Sequence, residues 1–225
     1  MNAENQPERR SLPMGIQSFL IAGLMTYPCA DEVRAKEMVL VSSIGQINAR
    51  EIFFSGSPIA SPFGLVDHAQ SFTTGSNSSG YKLNSVAIQF GQISTGLTYR
   101  VSIHQSETSG PGTEIGALTT PTFSTSTTGQ TLTFPAGSGG ITLVASTKYF
   151  LVLDVSGTRT DQITTWRNTQ SDNEDSSGLD DWTIDDDHIF RAFGSNQVWW
   201  DNLQSSSLKF RINGEVLMPS SFPTS

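Results

Sequence analysis

Cysteine is almost missing: Cys29 is the only one in 225 residues, which excludes an intrachain disulfide framework and a thiolate metal cage. Positive charge is scarce as well. Thirteen Lys and Arg stand against 21 Asp and Glu, a net charge of -8, so phosphate backbones and anionic lipid are repelled and nucleic-acid binding is set aside. Charged residues of either sign reach only 15%, too few to clothe a set of amphipathic helices. The longest apolar run, Leu12 to Met25 (LPMGIQSFLIAGLM), is too short for a comfortable membrane span. The last residues, 217–225 (LMPSSFPTS), hold two prolines and no apolar helix, so no C-terminal membrane anchor is expected. Histidine is thin and scattered, at His68, His104 and His188, with no H-E-x-x-H spacing and no G-x-S-x-G nucleophile elbow.

What remains is hydroxyl and glycine. Ser and Thr fill 55 of the 225 positions beside 20 Gly, a composition suited to strands and turns. From Val39 onward, runs of Val, Ile, Thr, Phe and Tyr alternate with Gly/Ser/Asn/Pro clusters at the ~8–12-residue spacing of a sandwich or barrel. Strands are expected at Ala69–Thr73, Tyr81–Phe90, Leu97–Gln105, Glu114–Leu118, Thr131–Phe134, Lys148–Val155, Ile163–Asn168, Ile189–Phe193, Gln197–Trp200 and Leu208–Asn213. Leu97–Gln105 alternates cleanly: Leu97, Tyr99, Val101 and Ile103 toward a core, Thr98, Arg100, Ser102 and His104 toward water. Gly110-Pro111-Gly112 reads as a turn, Thr119–Thr128 as a strand edge plus loop, and Lys148–Val155 (KYFLVLDV) as a central strand. The fold class that follows is all-β, a jelly-roll-like sandwich of two antiparallel sheets with about ten strands and no βαβ rhythm. Residues 1–37 read as a leader, 38–216 as the sandwich and 217–225 as a short tail. In the leader, Arg9 and Arg10 precede the apolar run and then Tyr27-Pro28-Cys29-Ala30, the layout of a secretory signal peptide, so export is expected.

Four segments resemble a known family. AQSFTTGSNSSGYKLNSVAIQFG at Ala69–Gly91 resembles the opening of the bacterial extracellular choice-of-anchor modules of the R type. YRVSIHQSETSGPGTEIGALTTP at Tyr99–Pro121 and LVASTKYFLVLDV at Leu143–Val155 are similar to later strands of that family. NEDSSGLDDWTIDDD at Asn173–Asp187 resembles a segment of related surface modules. The resemblance spans about Val39 to Glu215 and implies a secreted or cell-surface β-sandwich without catalytic residues to transfer. These motifs are strand-and-turn patterns, so they speak to architecture more than to biochemistry.

The strongest local signal is acidic. Between Asp161 and Asp201 stand ten carboxylates against Arg167 and Arg191, the whole net charge of the chain. Crowded carboxylates need solvent or a cation, which makes Asp172, Glu174, Asp175, Asp180, Asp181, Asp185, Asp186 and Asp187 candidate ligands for a structural Ca²⁺. The alternative is a solvated acidic loop, and the EF-hand pattern is missing. All four tryptophans, Trp166, Trp182, Trp199 and Trp200, share the segment and are candidates for stacking on sugar rings. A core role competes, because Trp199 and Trp200 are adjacent and a strand would send them to opposite faces.

The expected function is a non-catalytic extracellular or cell-surface module for adhesion or structural interaction. Its partners would be a cell-surface polysaccharide or other surface proteins. A carbohydrate-binding module with a Trp-lined site is the alternative, and a secreted hydrolase a weaker one, since paired acids in one loop lack the cleft that glycosidase chemistry needs.

Overall fold

Alternating β-branched, aromatic and hydroxyl residues favour pleated strands, and the computed structural model of the chain is built of them. It describes residues 36–53, 66–123, 129–157, 164–169, 177–192, 198–201 and 207–219; nearly all of the expected leader lies outside this set. Among the described residues there are fourteen strands and no helix: β1 (Met38–Ser42), β2 (Asn48–Phe53), β3 (Val66–Thr73), β4 (Tyr81–Gln92), β5 (Thr98–Glu107), β6 (Gly110–Leu118), β7 (Thr131–Pro135), β8 (Ile141–Leu143), β9 (Lys148–Ser156), β10 (Thr165–Thr169), β11 (Ser177–Gly178), β12 (Thr183–Ala192), β13 (Trp200–Asp201) and β14 (Phe210–Val216).

Two antiparallel sheets result. The first runs β11-β1-β14-β4-β10-β2, with β7 and β8 on the other edge of β4 from β14. The second runs β13-β12-β3-β9-β5-β6. The sandwich expected from the sequence is therefore present, with β1, β2, β8 and β11 added to the expected strands. Lys148–Val155 is central, paired with β3 on one side and β5 on the other. Its Tyr149, Leu151, Leu153 and Val155 and the Tyr99, Val101 and Ile103 of β5 share one core with Leu83, Val86, Ile88 and Phe90 of β4 and Phe210 and Ile212 of β14.

Strand β4 breaks simple alternation for a definite reason. Ser85 pairs with Asn213 and Leu83 with Gly214, leaving Asn84 with no residue opposite. This bulge switches parity, so Leu83 and Val86 both enter the core. Gly214 is required at the bulge, since a Cβ there would lie 2.1 Å from the Lys82 carbonyl oxygen.

Two expectations are corrected. Over 183–188 the acidic stretch is no loop but the first part of the ten-residue strand β12, which runs on into the strand expected from Ile189. Ile184 pairs with Phe72 and His188 with Gln70, so Asp185, Asp186 and Asp187 together stand opposite Ser71 alone. Ile184 and His188 on either side of this bulge stay buried. Gly110-Pro111-Gly112 is likewise strand, and the turn falls at Thr108-Ser109. Register shifts on either side of His104 bend this hairpin, and a Cβ at Gly110 would lie 2.7 Å from Ile189 Cδ1 and 3.3 Å from Trp199 Cγ. The hairpin tip thus folds over the outer face of the second sheet. A second apolar cluster forms there from Ala69, Phe150, Val152 and Ile189 with Trp199 packed against it. Ser102, expected to be wet, is fully buried on this face. After β6, residues 119–123 are extended without forming a strand, and Phe123 packs against Tyr99.

Candidate functional site

The tryptophans separate by burial. Trp166 and Trp182 are 0% and 1% exposed, so neither ring face is open to a sugar. Trp166 Nε1 donates to the Lys209 carbonyl at 2.9 Å. Trp182 stacks on Phe72, centroids 6.0 Å apart and planes 4° from parallel, and meets Tyr81 edge-on at 4.9 Å. These two are core side chains rather than a binding site, because β10 carries Trp166, and the position just before β12 carries Trp182, into the core between the sheets. Trp199 is half-buried on the outer apolar cluster, with the Arg191 guanidinium 4.7 Å from its ring centroid. Trp200, in the edge strand β13, is 56% exposed.

The candidate calcium ligands whose side chains are described, Asp180, Asp181, Asp185 and Asp186, do not gather. Asp181 Oδ2 accepts from Ser76 N at 2.6 Å and Ser76 Oγ at 2.8 Å, which caps the Gly75–Gly80 turn and holds the Asp181 carboxyl below the usual carboxylate range. Asp185 instead accepts from Thr73 Oγ1 at 3.1 Å and Thr183 Oγ1 at 3.0 Å, with Lys148 Nζ 3.5 Å away. Asp180 and Asp186 are exposed. Among the described residues no three carboxylate, imidazole or thiolate groups converge as metal ligands. Asp172, Glu174, Asp175 and the side chain of Asp187 lie outside the described residues.

An extended polar array that sequence reading missed crosses the outer face of the second sheet. Arg191 on β12 donates from Nε to Asp67 Oδ2 and from Nη2 to Asp154 Oδ1, both at 2.9 Å. Arg100 Nη1 stands 3.6 Å from Asp154 Oδ2, and its Nη2 donates to Glu114 Oε1 at 2.7 Å. Glu114 Oε2 is 3.9 Å from His104 Nε2. The pleat dictates this ladder: Arg191 with Asp67, Arg100 with Asp154, and His104 with Glu114 are directly opposed on neighbouring strands. Burial raises the Asp67 carboxyl above its ordinary value and the Asp154 charge adds to the rise, against the bonds from Arg191 and from Val155 N. Alternating Arg and carboxylate was legible only as polar positions on separate strands, since which strands adjoin is a tertiary fact.

Beside the ladder, Ser102 Oγ lies 3.0 Å from His104 Nε2, and His104 Nδ1 is 2.8 Å from the Gly112 carbonyl oxygen. That is the spacing of a nucleophile and its base. Ser102 is nonetheless fully buried, so a substrate carbonyl has no approach to its oxygen, and the pair orders the hairpin instead.

A second polar group lies between the sheets. Gln70 Oε1 accepts from Leu208 N at 2.9 Å and Gln70 Nε2 donates to the Asp185 carbonyl at 2.6 Å, clamping the bulge to the first sheet. His68 Nδ1 and His188 Nε2 are 3.1 Å apart, both rings buried. Burial, then the neighbouring His68, pushes the His188 pKa well below the ordinary 6.5. Asn77, in a formal glycosylation sequon, spends its amide on the carbonyls of Gly80 and Leu217 at 2.7 and 2.9 Å. No helix among the described residues is long and apolar enough to cross a membrane. Comparison with protein-family models, with curated proteins and with solved structures finds no match to this chain.

Proposed function

We propose that the chain is a non-catalytic extracellular or cell-surface β-sandwich module for adhesion or structural interaction, using the outer face of its second sheet. The ladder from Arg191 through Asp67, Asp154 and Arg100 to Glu114 carries this reading. Buried Asp67 and half-buried Arg191 and Asp154 hold the exposed Arg100 and Glu114 in a fixed row whose donors and acceptors suit a polar partner. The likeness of Ala69–Gly91 and Leu143–Val155 to choice-of-anchor modules and the signal-like layout of the leader agree with an exported role. The test is retention of beads coated with the full chain on bacterial envelopes, with and without protease or periodate treatment of the envelope. Retention that falls with Arg100→Glu, which reverses charge beside Asp154 and Glu114, supports the reading. Beads that never bind, or that bind equally with Arg100→Glu, count against it.

A second reading, saccharide binding, is favoured by Trp200, more than half exposed beside the Arg191-covered Trp199. An exposed indole at a sheet edge can stack on the C–H face of a sugar. Loss of polysaccharide retention in affinity electrophoresis on Trp200→Ala is the expected result, and unchanged retention rejects that ring.

A further inference from the structure

A concave surface among the described residues lies away from the tryptophans, where the segment leaving β6 passes over the start of β5. Thr119 N donates to the Pro135 carbonyl at 2.8 Å and Thr120 Oγ1 to the Tyr99 carbonyl at 2.7 Å, which pins 119–123 beside β5. Between this segment and residues 95–99 an open cavity of about 340 Å³ is left, at the small end of ligand-sized pockets. Its floor is Leu97, Tyr99 and Phe123, the two aromatic rings edge-to-face at 5.6 Å and 65°. Tyr99 turns its hydroxyl inward, to the Ser94 carbonyl at 2.7 Å and Thr164 Oγ1 at 2.5 Å, so only ring carbon faces the cavity. The rim is hydroxyl, from the exposed Thr95, Thr98 and Thr122, and among the described residues no charged side chain lines it.

An apolar floor of two rings inside a ring of rotatable hydroxyls matches a ligand with C–H faces and hydroxyl edges and no charge. We infer that this pocket binds one neutral pyranose unit. The small volume limits occupancy to a terminal or free sugar ring. Leu97 and Phe123 desolvate the ring face, and each threonine hydroxyl both donates and accepts, as a sugar hydroxyl requires. The inference rests on the saccharide reading for its ligand class but not for its residues.

The experiment is saturation-transfer NMR of the full chain with uncharged methyl pyranosides (gluco, galacto and manno), with N-acetylphenylalanine amide as a peptide side-chain mimic. The expected result is saturation of at least one pyranoside, weakened on the order of tenfold by Phe123→Ala and abolished by Thr122→Arg. Thr122 is exposed and outside the strands, so Thr122→Arg blocks the mouth at an unchanged melting temperature even if Phe123→Ala fails to fold. Trp200→Ala leaves pyranoside binding as it was. Silence from every pyranoside, binding indifferent to Thr122→Arg, or preference for the phenylalanine amide overturns the pocket. Polysaccharide retention that needs Trp200 alongside pyranoside silence sinks the pocket and leaves the saccharide reading standing.

Discussion

Trp182 separates the two roles that aromatic residues in the acidic segment can play. It is 1% exposed, stacked on Phe72 and edge-on to Tyr81. Removing a fully buried indole forfeits its transfer free energy and leaves a cavity that two ordered strands cannot close. Trp182→Ala should therefore cost about 3–5 kcal/mol, with the two ring contacts contributing roughly 0.5–1.5 kcal/mol each within that total. Its Nε1–H has no hydrogen-bond acceptor among the described residues, so Trp182→Phe removes an unsatisfied donor along with volume and costs clearly less. Trp200→Ala, at a position 56% exposed, should stay within about 0.5 kcal/mol of the parent. Urea unfolding followed by far-ultraviolet circular dichroism reads all three, as a shift in midpoint at constant slope. A Trp182→Ala loss below about 1 kcal/mol would refute the packing argument, because no buried indole can be deleted so cheaply.

The buried His68–His188 pair makes stability depend on pH: the folded His188 pKa lies below the ordinary 6.5, so the unfolded state binds the extra proton. The contribution is complete above about pH 6.5 and is lost as pH falls from there toward the folded pKa; urea melts that stay level through that window contradict it. Gly80 has φ +78°, and a Cβ there would sit 2.5 Å from the Leu143 carbonyl oxygen. Gly80→Ala should thus lower stability by about 1–3 kcal/mol, and an unchanged melting temperature would show that the turn yields. Asp181→Ala removes both bonds to Ser76 and should lower the melting temperature equally in calcium and in chelator. A larger fall in calcium would identify Asp181 as a metal ligand after all.

Much of the fold follows from period-two patterning within single segments. Leu97, Tyr99, Val101 and Ile103 are all buried as their alternation requires, and Lys148–Val155 is central because its apolar run can be covered on both faces. The pattern fails where a bulge intervenes. Asn84 resets parity in β4, and nothing in YKLNSVAIQF marks Asn84 as the residue without a partner. In β12 the bulge has a larger effect, since three aspartates in a row read as a solvated loop. Their strand becomes visible only through Ile184 and His188, four residues apart, which contact β3 at Phe72 and Gln70.

The candidate surfaces were less legible because each is assembled by strand order. Arg191, Asp67, Asp154, Arg100 and Glu114 are isolated polar positions on five strands, and only the order β12-β3-β9-β5-β6 sets them in one row. His68 and His188 are 120 residues apart and touch at 3.1 Å, while tryptophans gathered in one stretch of sequence divide between core and surface. Neighbours along the chain are separated among the described Trp and Asp side chains, since alternate strand positions face opposite sides and a bulge moves neighbours apart. Charges scattered along the chain converge where the sheet places them directly opposite one another. For a sandwich of this kind, the residues that share a surface are found by matching outward positions across neighbouring strands, and Arg100 with Asp154 and Arg191 with Asp67 are the pairs that such matching recovers.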